Sequence, residues 1–173
     1  VAATSEVGRV VTNGMSQYER SGKNANSGIV VGITPADYPG SPIAGIEFQR
    51  RLEERAFELG GGTYEAPGQL VGDFLEGKAS TQLGAVKPSY KPGVHLCDLS
   101  SSLPDYAIEA IRSAIPAFDQ QIDGFAMHDA VLTGVETRTS SPICIKRGDD
   151  YQSLNTKGLY PAGEGAGYAG GIL

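Results

Sequence analysis

Residues 41–62, SPIAGIEFQRRLEERAFELGGG, decide the fold class because they carry the clearest helix signal in the chain. Ser41 and Pro42 supply a capping side chain and a first-turn proline. Apolar residues then recur at spacings of four, four and three, which place them on one helix face: Phe48, Leu52, Ala56 and Leu59. The glycines at 60–62 are typical of a helix C-terminus, whereas a phosphate-binding loop would precede its helix. We predict a helix over residues 42–59.

A second helix is predicted over residues 104–114, with Ser102 as its cap. Its apolar stripe consists of Ile108, Ile111 and Ile115. Pro116 is expected either to end it or to begin another short turn through residues 118–121, because proline cannot donate the backbone hydrogen bond that continues a helix.

Segments rich in apolar and β-branched residues predict strands before, between and after these helices. Residues 28–34 form an almost continuous apolar run, which is typical of a strand buried on both faces. Residues 1–12 predict part of a hairpin whose partner strand would lie upstream. The other predicted strands are residues 69–74, 95–98, 125–136 and 143–145. The expected fold class is α+β, with one or more mixed or antiparallel sheets and two main helices.

Composition bounds the kinds of partner. A chain of 173 residues, 40% of them hydrophobic, can bury a core and is expected to form one domain. A net charge of −6 argues against binding to nucleic acid or to an anionic membrane surface. No run of eighteen apolar residues is present, so we predict no membrane-spanning helix. The first residues lack the features of a signal peptide, and two cysteines are too few for a disulfide framework. We expect a cytoplasmic protein.

Few residues carry recognisable catalytic or metal chemistry. His95, Cys97 and Asp98 are potential metal ligands, but no second cluster completes a tetrahedral site, so we predict no metal. No Gly-x-Ser-x-Gly motif occurs, and no catalytic acid, base or nucleophile can be named. The turn-rich residues 88–93 fit either a ligand-contacting loop or ordinary turn chemistry.

The tail, residues 157–173, has the strongest functional pattern. A short apolar run predicts a strand that leads into Gly163, Glu164 and Gly165, and more glycines follow. A carboxylate delivered this way suits a polyol ligand, and backbone without Cβ atoms can approach a flat or charged group closely. If the segment after Glu164 turns helical, its free N–H groups would face that ligand.

A second polar segment lies at residues 137–141. Arg138 offers a bidentate fork for an anionic ligand, with the hydroxyls of Thr139 and Ser140 beside it. The alternative is a turn whose side chains satisfy their own backbone. Both interpretations remain open at this stage.

The tail resembles the second FAD-binding signature of the glutathione-reductase-like flavoproteins: a threonine, a spacer, an apolar strand and then Gly-Asp or Gly-Glu. Thr156, Gly163 and Glu164 match it. Nearly the whole chain is similar to the bacterial FAD-utilising dehydrogenases. The matching blocks are residues 13–16, 24–27, 45–50, 69–74, 88–93, 132–142 and 158–172.

This resemblance implies a cofactor, FAD, and a small-molecule substrate. Glu164 would accept a hydrogen bond from a ribityl hydroxyl. The residues expected to reach the pyrophosphate and the pyrimidine edge are Gly163, Gly165, Ala166, Gly167 and Tyr168. Arg138, Thr139 and Ser140 would line the flavin or bind the substrate.

Two parts of the family pattern are missing: the Gly-x-Gly-x-x-Gly unit that binds the ADP half of FAD, and the helix after the tail glycines. The chain therefore resembles a fragment of an FAD-dependent oxidoreductase. Residues 13–135 would be an inserted, substrate-facing module, with residues 1–12 and 136–173 as edges of the FAD-binding domain. We expect the fragment alone to be inactive and not to hold FAD. The alternative is a non-catalytic α+β binding module.

Overall fold

The computed structural model describes residues 2–3, 5–14 and 18–167. The chain divides into a first unit, Val1–Ile33 with Arg50–Glu136, and a second unit, Thr34–Gln49 with Thr137–Leu173. The elements in chain order are β1 (Ala2–Ala3), β2 (Thr12–Asn13), α1 (Ala44–Leu59), β3 (Ala66–Leu70), α2 (Val71–Glu76), β4 (Val94–Leu96), α3 (Asp105–Asp119) and β5 (Val131–Thr133). The α+β class and the two main helices are therefore confirmed.

The first unit is organised around a three-stranded mixed sheet in the order β4-β3-β5. The central strand β3 pairs in parallel with β4 and antiparallel with β5. A separate two-stranded antiparallel pair joins β1 to β2, so the hairpin partner lies within the chain rather than upstream of it. The second of these two-residue strands is tied to the rest of the unit, because the Thr12 amide donates to the Val135 carbonyl at 2.9 Å.

The central strand begins earlier than predicted, and residues 71–74 of the predicted strand are helical. Pro67 and Gly68, which read as a bend, both lie inside β3. Gly68 is required there because a Cβ atom would lie 2.3 Å from Val94 Cγ1 on the neighbouring strand. The chain then turns directly into α2, which ends at Gly77 in the left-handed conformation (φ 71°).

Buried polar groups hold this strand-to-helix junction together. The Gln69 side chain is fully buried, accepts from the Leu99 amide at 2.9 Å and donates to the Lys78 carbonyl at 2.7 Å. Ser80 Oγ accepts from the Leu70 amide and donates to an Asp73 carboxylate oxygen at 2.6 Å. These bonds satisfy groups that would be costly to bury unpaired.

The core of the first unit lies mainly between α2 and α3. Its buried members are Val71, Phe74, Leu99, Ile108, Ile111 and Ile115. A second cluster contains Val10, Ala56, Ala66, Tyr90 and Val135. The predicted stripes on both helices are therefore used in packing, although Phe48, Leu52 and Leu59 on α1 are only half-buried.

The predictions for three helix ends had different outcomes. Gly60–62 end α1 as expected, since their amides donate to the carbonyls of residues 56–58 and both Gly61 and Gly62 have positive φ. The predicted end of the second helix at residue 114 is wrong, because α3 continues through Pro116 to Asp119. Ile115, just before the proline, is buried in the core, so packing keeps this turn helical. Ser102 does not cap α3: its hydroxyl donates to the Leu99 carbonyl.

Three strand predictions are wrong. Residues 28–34 are extended but belong to no sheet, and Val30 is 60% exposed rather than buried. Residues 143–145 form no strand, and neither does the run that leads into Gly163. Apolar composition favoured strands at all three places, but a strand also needs a partner, and composition does not reveal one.

Candidate functional site

Glu164 begins a single 3-10 turn, Glu164–Ala166, within the second unit. Glycines in left-handed or related conformations flank it, with φ 75° at Gly163 and φ 76° at Gly167. These values are accessible to glycine at little cost and strain other residues. Within the described residues, the segment that begins at Glu164 is therefore helical for one turn.

The Glu164 carboxylate is held from one side by the predicted polar segment. Its Oε1 accepts a hydrogen bond from the backbone amide of Ser141 at 3.2 Å, and the side chain is half-buried. The Ser141 hydroxyl in turn accepts from the Ile143 amide and donates to the Ile143 carbonyl. This local turn fixes the direction of the amide that meets Glu164.

Further contacts align residues 141–145 with the turn. The Ile145 amide donates to the Gly165 carbonyl at 2.7 Å. Cys144 packs against Gly167 so closely that a Cβ atom there would lie 3.0 Å from its Sγ. Ala166, between these contacts, is buried. The glycine turn is therefore positioned by two backbone donors and by the absence of a side chain at Gly167.

Two glycines of the turn have open space beside them among the described residues. A Cβ atom placed on Gly163 or Gly165 would meet no described atom within 4 Å. One oxygen of the Glu164 carboxylate is engaged by Ser141, and a carboxylate can accept several hydrogen bonds at once. Both the acceptor and the exposed backbone therefore suit a ligand that carries hydroxyl groups.

The structure brings together part of the predicted site. Glu164 and its neighbouring glycines lie beside Ser141, which belongs to the predicted polar segment. Arg138, Thr139 and Ser140 precede it along the chain with exposed side chains. Gln49 anchors the start of this segment, since its Nε2 donates to the Thr137 carbonyl at 2.7 Å. Tyr168 lies outside the described residues.

Sequence reasoning missed the backbone donors of Ser141 and Ile145. Every residue except proline has a backbone amide, so composition does not mark these donors. Only the Ser-x-Ile spacing, which permits a hydrogen bond from a hydroxyl to the backbone, could have indicated that residues 141–145 form a turn beside Glu164. Two hydrogen bonds that hold the segment before Gly163 were not predicted either. Arg147 Nη1 donates to the Pro161 carbonyl at 2.7 Å, and the Ser153 amide donates to the Leu159 carbonyl at 2.8 Å.

The other candidate positions are structural. Tyr90 of the turn-rich segment is buried, and burial raises the pKa of its hydroxyl, so ordinary packing describes this residue better than ligand contact. Burial also raises the pKa of the Cys97 thiol, which disfavours the thiolate that a metal would need. Among the described residues, no three His, Cys, Asp or Glu side chains form a group able to hold a metal ion.

No helix among the described residues has the length and apolar character to cross a bilayer.

The sheet and the helices define a small α+β fold, and the second unit carries the carboxylate–glycine turn. The sequence profile of a family described as "FAD-dependent protein, C-terminal domain-like" matches residues 1–139. The chain belongs to this family. It is also 54% identical, over 174 aligned positions, to an "Uncharacterized protein" from Clostridium beijerinckii. That alignment covers all of this chain but spans only 33% of the relative.

Proposed function

We propose that this chain is part of a longer FAD-dependent oxidoreductase, called the full-length protein below, in which Glu164 accepts a hydrogen bond from a ribityl hydroxyl of FAD. The observation that carries the proposal is the Glu164 carboxylate fixed by the Ser141 amide at 3.2 Å. A pre-positioned acceptor binds better than one that must be ordered on binding. The family to which the chain belongs is described by its dependence on FAD, which supports the choice of ligand.

The donor and acceptor groups present fit this cofactor. The open faces of Gly163 and Gly165 leave room for the flexible chain between the flavin and the pyrophosphate. Arg138, Thr139 and Ser140 are exposed polar residues that precede Ser141, and we assign them to the flavin rim or to an anionic part of the substrate. Ala166, Gly167 and Tyr168 complete the proposed cofactor segment.

One carboxylate cannot bind FAD by itself, so the rest of the full-length protein must contribute most of the site. FAD, when bound, supplies hydride or electron-pair transfer. This chain's own residues orient the ribityl chain and shape one wall. In the proposed arrangement residues 13–135 form a substrate-facing module, and residues 1–12 and 136–173 belong to the FAD-binding domain.

Removal of the carboxylate tests this role. Glu164→Ala in the full-length protein should weaken FAD binding by about 1.5–3 kcal/mol, or about tenfold to somewhat over a hundredfold, because a hydrogen bond to a charged group is lost. Titration of the apoprotein with FAD, followed by flavin fluorescence, measures the change. Glu109→Ala is the matched control, since Glu109 is an exposed glutamate on α3. Equal FAD affinities for the two variants would remove the role assigned to Glu164.

A further inference from the structure

Residues 28–33 form an extended segment of the first unit that has no strand partner among the described residues. Within the described part of the chain, their backbone N–H and C=O groups make no hydrogen bond. Unpaired extended backbone of this kind is a template for pairing with another strand. Its sequence, GIVVGI, is rich in the β-branched residues that favour strands.

The side chains of residues 29–31 already alternate as they do in a strand. Ile29 and Val31 pack against the core cluster beside α2 and α3. Val30, between them, is 60% exposed, and the alternation ends before Ile33, which is 41% exposed. One face of the segment is therefore anchored, so little conformational entropy would be lost if a second strand paired with its backbone.

An apolar crevice of about 380 Å³ lies next to this segment. Residues 28–32 form one wall, and Ala110, Ile111, Ala114 and Phe118 of α3 form the other. Because Ala110 and Ala114 have small side chains, the α3 wall leaves space in the crevice for side chains from a paired strand. Unpaired main chain beside an apolar pocket is the combination that strand addition uses for affinity and specificity.

We propose that residues 28–33 are the docking edge for a β-strand from the remainder of the full-length protein. The run of unpaired main-chain groups selects an extended peptide, because a small apolar ligand would leave those groups unpaired. The aligned relative is three times as long as this chain, so most of its polypeptide lies outside the matched region. A strand on the same polypeptide docks at a high effective concentration. The inference rests on the chain being part of a longer protein, and not on FAD.

Hydrogen–deuterium exchange of the 173-residue chain and of the full-length protein tests this proposal. In the 173-residue chain the amides of residues 28–33 should exchange rapidly. In the full-length protein the same amides should exchange more slowly, by about tenfold or more, because they are hydrogen-bonded. The amides of β3 serve as an internal control and should be protected in both proteins, since β3 is paired on both sides. Rapid exchange of residues 28–33 in the full-length protein would overturn the proposal, whether or not that protein contains flavin.

A second copy of the chain is the competing occupant. If the 173-residue chain forms dimers in sedimentation, and residues 28–33 become protected as its concentration rises, the edge binds a copy of itself and the proposal is wrong. Protection that appears only in the full-length protein, at all concentrations, supports the proposal.

Proline substitutions provide an independent test, because proline removes one backbone donor. Val30→Pro and Val31→Pro probe amides that point to opposite sides of an extended segment, and Val30→Ala and Val31→Ala are their controls. In the 173-residue chain each proline variant should unfold at the same temperature as its alanine partner. In the full-length protein at least one proline variant should unfold at a clearly lower temperature than its alanine partner. If both proline variants unfold at the same temperatures as their alanine partners, residues 28–33 are not paired in the full-length protein.

Discussion

At the scale of single residues, two glycines without positive φ differ in their surroundings. Gly68 lies where another strand excludes a side chain, since a Cβ atom would lie 2.3 Å from Val94 Cγ1. Gly165 lies where nothing in the described chain excludes one. The fold explains the first glycine. Under the proposed function the ligand would explain the second, because it would occupy the space that a side chain would fill.

Gly165→Ala separates these explanations. The added methyl group should leave the thermal stability of the 173-residue chain almost unchanged, within about 0.5–1 kcal/mol, because it meets no described atom and Gly165 does not have positive φ. In the full-length protein the same change should weaken FAD binding several-fold. Calorimetry of the chain and FAD titration of the full-length protein measure the two effects. Unchanged FAD affinity would argue against close approach of the cofactor at this glycine.

The ionisation of Asp73 is linked to the fold. The hydrogen bond from Ser80, with help from Lys78, holds the pKa of this carboxyl below its usual range. A carboxyl with a lowered folded-state pKa contributes stability above its unfolded-state pKa of about 3.9, and that contribution is lost as the pH falls through the folded-state value.

Asp73→Asn should therefore make the stability of the 173-residue chain less dependent on pH below about pH 4. Urea unfolding at several pH values between neutrality and acid measures the dependence. Asp123→Asn replaces an exposed aspartate and is the control. If the wild type and Asp73→Asn lose stability equally over the acid range, the carboxylate is not linked to folding as described.

At the scale of elements, α3 contributes Ile108, Ile111 and Ile115 to the core cluster that it shares with α2. Ile115 is 1% exposed, whereas Ile122, just beyond the helix, is 60% exposed. Ile115→Ala should lower the free energy of unfolding by about 2–5 kcal/mol, because it removes methyl groups from a packed core. Ile122→Ala should change it by about 0.5 kcal/mol or less. Chemical denaturation of both variants measures the difference, and similar values for the two would contradict the assigned core.

Helices were more predictable than strands for a physical reason. The apolar residues of α1 and α3 recur with the helical period, so each sequence predicts its own helix. The bounds depend on packing as well, because α3 continues past Pro116 with Ile115 buried. Strands depend on partners. Residues 28–34 have the composition of a strand but pair with no strand among the described residues. Pro67 and Gly68 are typical of a turn but lie in the central strand. Glu164 could be selected as a candidate because a carboxylate between glycines is distinctive, but its hydrogen bond from the Ser141 amide could not be predicted.

At the scale of the whole molecule, the proposed function makes the chain a contributor to a larger site rather than a complete one. The matched family is described as "FAD-dependent protein, C-terminal domain-like", and the chain spans a third of the length of its aligned relative. Two features are proposed to meet the remainder of the full-length protein. The carboxylate–glycine turn presents an acceptor beside open space, and residues 28–33 present a backbone edge that is unpaired among the described residues.

The flavin content of the purified full-length protein tests the central claim most directly. The protein should be yellow, and denaturation should release close to one FAD per chain, identified by chromatography and absorbance. The 173-residue chain, prepared in the same way, should release almost none. A correctly folded full-length protein that releases no flavin, and that does not bind added FAD, would contradict the proposed function.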